Sequence, residues 1–180
     1  MHDDDGPRPV VLIVALTVAL AAVGAVLAVA AARHSAHRPA APLPPPGRYA
    51  DSAACRALLA ALPSQLGTYE RADLAGTAPL GVAAWTAADG SAPVVLSCGV
   101  DRPTDFVVGS PLQVVDDVQW FHTRDGGTGT EDASTWYAVD RPVYVALRLP
   151  ANSGPTPIQV LSEVIADSVR AAAPHPGPPR

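Results

Sequence analysis

Lysine is absent from this 180-residue chain, so all 12 basic side chains are Arg. They stand against 17 acidic residues, giving a net charge of −5 and a pI near 5.4. No basic field exists to collect phosphates, which excludes an electrostatically driven nucleic-acid binder. Cysteine is nearly absent too. The two present are not spaced as C-x-x-C, and His122 is the one histidine inside the folded part, so a metal site lacks donors. Aromatics make up 5% of the chain, three of them Trp. What is abundant is proline, at 20 residues, and apolar side chains, at 48%. The first excludes a helical bundle and the second a disordered chain. The length suits one ordinary domain with appendages.

Residues 10–32 carry no charge and are interrupted only by Thr17 and Gly24. As a helix they would extend about 34 Å, against a hydrocarbon core of about 30 Å. No face of that helix is polar, unlike a helix on a soluble core. The segment reads as a transmembrane helix, with residues 1–9 as a short cytoplasmic N-terminus. A cleaved signal would have a basic start and a shorter apolar run. Here Asp3, Asp4 and Asp5 precede a longer one, so a retained anchor is expected, although Ala28, Ala30 and Ala32 offer cleavage points. Arg33 and Arg38 follow the segment and favour a cytoplasmic C-terminal domain. A cysteine pair argues the opposite, and the expected location is the cytoplasmic membrane, single-pass, with the domain extracytoplasmic.

Residues 33–50 include Pro42, Pro44, Pro45 and Pro46 and read as a disordered, proline-rich spacer. Residues 51–172 form the domain, and 173–180 a disordered tail. Asp51 or Ser52 caps a first helix whose Cys55, Leu58, Leu59 and Leu62 recur at helical spacing, closed by Pro63. Residues 80–86, 94–100, 112–115, 118–123, 135–139 and 143–149 are strand-like, while 68–74 are ambiguous. Val94, Leu96, Cys98 and Val100 share the buried face of their strand. A last helix opens on a capping box, Thr156 to Gln159, with Pro157 at its start. Ile158, Leu161, Val164, Ile165 and Ser168 are its inner stripe. The order implies an α+β domain: an antiparallel sheet with two flanking helices.

Cys55 lies on the inner face of the first helix and Cys98 on the inner face of a strand, so the two thiols can meet. A disulfide closing about 44 residues would stabilise the fold by roughly 4 kcal/mol. Two buried, unpaired thiols are the alternative.

These residues form a pattern. Cys55 with Leu58, Leu59 and Leu62-Pro63, then Ala84-Trp85, then Ser97-Cys98-Gly99-Val100 and Pro103, resemble an actinobacterial domain-of-unknown-function family, number thirty-five fifteen, of small membrane-anchored or exported proteins. Val118, Trp120, Trp136, Asp140-Arg141, Tyr144-Val145, Pro150 and Leu161-Ser162 extend the similarity over about 51–170. The resemblance implies an envelope location and two cysteines, with no activity, cofactor or catalytic residue attached.

Reactive groups are few. No G-x-S-x-G elbow occurs, and Gly127-Thr128-Gly129 lacks the third glycine of a dinucleotide loop. Asp116 and Asp117 are adjacent and on a strand would face opposite sides. Asp125, Glu131 and Asp132 bracket a Gly-rich loop without the spacing of a calcium loop. Trp85, Trp120 and Trp136 read as core, with a ligand-facing wall as the alternative. Arg141 beside Asp140 reads as a structural ion pair. The expected function is a non-catalytic envelope module that binds a protein, glycan or lipid, with no metal or cofactor. A small hydrolase using His122 is the alternative, requiring an acid and a hydroxyl to converge on it.

Overall fold

The computed structural model describes residues 9–36, 43–74, 78–124 and 133–179. The chain divides after Ala40 into two units. The first holds helix α1, Pro9–Ala36. Its side chains are described over 13–26, where Ile13, Leu16, Val18, Leu20, Val23 and Val26 are all more than half exposed. Among the described residues no helix is long and apolar enough to cross a membrane. The helix expected over 10–32 is present, within Pro9–Ala36. Residues 1–8 of the expected N-terminus, 37–42 of the spacer, and Asp125, Glu131 and Asp132 lie outside the described residues.

The second unit contains α2 (Ala53–Ala61), the strands β1 (Gln65–Leu66), β2 (Tyr69–Arg71), β3 (Val82–Ala87), β4 (Val94–Val100), β5 (Gln113–Val115), β6 (Val118–Arg124), β7 (Ser134–Ala138) and β8 (Tyr144–Leu149), and α3 (Thr156–Ser168). The strands form one antiparallel sheet in the order β1-β2-β3-β4-β8-β7-β6-β5. Each four-strand run is a meander, and the two meet at β4 and β8, so the centre of the sheet joins residues about fifty apart in sequence. The α+β expectation holds.

One sheet face carries the main core. Cys55 and Leu58 of α2 and Ile158, Leu161 and Ile165 of α3 pack with Trp85, Leu96, Cys98, Trp120, Val145 and Leu147. Alternation puts these strand residues on one side. Cys55 and Cys98 are joined in a disulfide, with their Cα atoms 5.6 Å apart. Ser52 is the cap of α2: its side chain accepts from the Cys55 N–H at 3.2 Å.

Several expectations are corrected. The capping box at Thr156 does not form, because Pro155 is already helical in backbone and its carbonyl accepts from the Gln159 N–H. Ser162, not Ser168, is the buried hydroxyl of α3. Asp116 and Asp117 fall, as the bounds 112–115 and 118–123 imply, in the turn between β5 and β6, with Asp116 at φ 49°. Residues 33–36 continue α1, and 43–50 belong to the folded unit. The reason is on the other sheet face, where Val82, Ala84 and Val95 are apolar and Leu43, Ala72 and Leu74 cover them.

The tail is also docked. Gly177 donates to Phe106 O (2.8 Å) and accepts from the Val108 N–H (2.9 Å), and Ala172 donates to Asp140 O. Proline cannot ladder, but the single glycine between prolines supplies the donor they lack.

Candidate functional site

A concavity of about 770 Å³ lies on the same sheet face as the helices, beyond the first turn of α3. Its floor comes from β5, β6 and β7, and its far wall from the β8–α3 connection, residues 150–155. A volume of this size falls within the usual range of ligand sites, about 300–1,000 Å³.

Pairing sets the floor. His122 of β6 stands opposite Trp136 of β7, and alternation turns both toward the cleft. Their rings lie 4.5 Å apart, centre to centre, tilted by 34°. Trp136 Nε1 donates to Ser134 Oγ at 3.1 Å, so the indole N–H is occupied while the ring remains half-buried. Gln113 on β5 and Gln159 on α3 add amides to the lining, and Ser153 adds a hydroxyl from the connection. Gly154 turns that connection at φ 68°, a conformation side chains rarely adopt. Among the described lining residues none is Asp, Glu, Lys or Arg. No group of three or more His, Cys, Asp or Glu able to hold a metal occurs among the described residues.

A family model described as "Protein of unknown function (DUF3515)" matches residues 15–174. The chain belongs to the DUF3515 family. No curated protein matches it, and no solved structure does.

In this DUF3515 chain the three tryptophans divide between two roles. Trp85 and Trp120 are fully buried, their N–H groups donating to Pro63 O (3.1 Å) and Ser162 Oγ (3.0 Å). Trp136 alone lines the cleft. His122 shares the lining with the hydroxyl-bearing Ser134 and Ser153, and among the described lining residues none is a carboxylate. Asp140 and Arg141 are buried and paired at 2.9 Å, away from the cleft lining. Gln113, Ser134, Ser153 and Gln159 were invisible as a set in the sequence. The alternation that places His122 inward applies equally to Gln113 and Ser134, but which strands neighbour each other depended on the order of the sheet.

A second concavity of about 330 Å³ lies on the opposite face, over Ser97, Ala146 and Tyr137, with Pro44 on its rim.

Proposed function

We propose that this chain is a non-catalytic binding module, held at the cytoplasmic membrane by α1 with its folded unit outside, and that the His122–Trp136 cleft receives its ligand. The observation that carries the binding role is the composition of the cleft: a stacked imidazole and indole, two amides and two hydroxyls around one cavity. Such an arrangement is an aromatic wall with a few orienting polar groups, the usual make-up of a ligand pocket. A hydrolase would need His122 between a hydroxyl and a carboxylate. Its ring instead rests against Trp136.

The anchor reading is supported by the uncharged residues 10–32, which lie within the helix Pro9–Ala36, and by apolar side chains exposed on α1. Water does not favour such a surface and hydrocarbon does. The external reading is supported by the Cys55–Cys98 disulfide, which persists in oxidising compartments.

The test is a pair of fusions after Arg180, one to alkaline phosphatase and one to a fluorescent protein that matures only in the cytoplasm. Membrane-bound phosphatase activity without fluorescence is the expected result. Fluorescence without phosphatase activity would place the domain inside and overturn the proposal.

A further inference from the structure

We infer that the ligand of the cleft is a neutral oligosaccharide, a reading that rests on the binding role proposed above and names its ligand class. Full charges are missing among the described lining residues, so an ionic ligand would lose its hydration there without a counter-charge. A purely apolar ligand would match none of the amides and hydroxyls that Gln113, Gln159 and Ser153 add to the lining. What remains is a ligand with apolar patches and many uncharged hydrogen-bonding groups. A sugar ring has one face of C–H groups, which suits the half-buried indole of Trp136, and a rim of hydroxyls. Each hydroxyl both donates and accepts. Amides and serine hydroxyls do the same, so Gln113, Gln159 and Ser153 can serve a sugar in either sense.

A proline-rich peptide is the other ligand that favours aromatic grooves. It offers carbonyl acceptors and few donors, so it would use the donor half of each lining amide and hydroxyl and leave the acceptor half unmatched, where a sugar hydroxyl answers both. The indole N–H that would normally meet such a carbonyl is already given to Ser134 Oγ. The observations therefore favour the saccharide.

The experiment uses the full chain in phosphocholine micelles, since glycoside detergents would compete. Three probes are titrated: the neutral N-acetylglucosamine tetramer, its deacetylated cationic counterpart, and a proline-rich peptide of sequence PLPPPG. The readouts are the indole N–H signal of Trp136, the ring signals of His122, and the dissociation constant at two salt concentrations. The neutral tetramer should shift both residues with an affinity that salt leaves unchanged, because no ion pair is made. Gln159→Ala, an exposed change in the first turn of α3, should weaken it about threefold to tenfold, the usual worth of one hydrogen bond. Trp136→Leu should abolish binding. Gln159→Ala stays informative where Trp136→Leu lowers stability. Shifts of Trp136 and His122 with the peptide or the cationic sugar alone would overturn the saccharide class and keep the cleft as a binding site. Binding of the neutral tetramer that leaves both residues unmoved would overturn the cleft itself. Silence from all three probes would overturn the saccharide proposal and count against the binding role.

Discussion

At the residue scale, Asp140 and Arg141 show how much one adjacent pair can hold. Asp140 Oδ2 accepts from Arg141 Nη1 and from the Gln119 N–H (3.0 Å), while Arg141 Nη2 donates to Asp117 O (2.9 Å). Asp140 O also receives the Ala172 N–H. The pair thus ties the β5–β6 turn, β6, the approach to β8 and the start of the tail at one point. Removing one partner strands a buried charge, whereas removing both removes the problem. Asp140→Ala should cost about 3–5 kcal/mol, and Asp140→Ala with Arg141→Leu clearly less than the two single changes added together. Urea unfolding of the four proteins checks this. The Asp-Arg dipeptide was legible as an ion pair from its sequence, but its three attachments were not, because they come from segments up to 32 residues away.

At the element scale, the decisive junction is α2 against β4. The disulfide joins Cys55 and Cys98, and the next residue, Gly99, sits in a bulge at φ 78°. There the incoming chain crosses the strand. Tyr49 donates to Gly99 O at 2.9 Å, and a Cβ at Gly99 would fall 2.3 Å from the Tyr49 carbonyl carbon. Only glycine admits that crossing. A pull arriving along residues 43–47 therefore meets the middle of the sheet directly, beside the covalent staple. Cys98→Ser should remove about 2–5 kcal/mol and lower the melting temperature strongly. Alkylation of the wild-type protein without reductant, read by mass spectrometry, should label no cysteine. Two labelled cysteines would remove the staple. Helix α2 and strand β4 were readable from periodicity and alternation, and so was the inward face of each cysteine. Strands β1 and β2 were not, since two and three residues are too few to show a period.

At the scale of the folded unit, the sheet is covered on both faces, and the second cover comes from residues 43–50, the 72–74 stretch and the tail. Phe106, Phe121 and Val139 form a cluster there with Tyr144 at its edge, and the tail lies across it. Tyr144 donates its hydroxyl to His175 O at 2.9 Å. Burial raises the Tyr144 pKa above its ordinary 10.0, against a smaller lowering by Arg102. A raised folded-state pKa means a contribution fully present below about pH 10 and lost as pH rises through the folded value, where the phenolate has no proton to donate. The melting temperature should fall over that alkaline window, and Tyr144→Phe should make the fall shallower while lowering the melting temperature at pH 7. The sequence by itself determined the apolar helix, the α+β order of elements and the inward cysteines, because each follows from local period and side-chain type. Only the tertiary structure decided the sheet order, the facing of His122 with Trp136, and the docking of residues 43–50 and of the proline-rich tail. Those depend on which apolar faces remain uncovered once the strands have paired, and no local pattern carries that information.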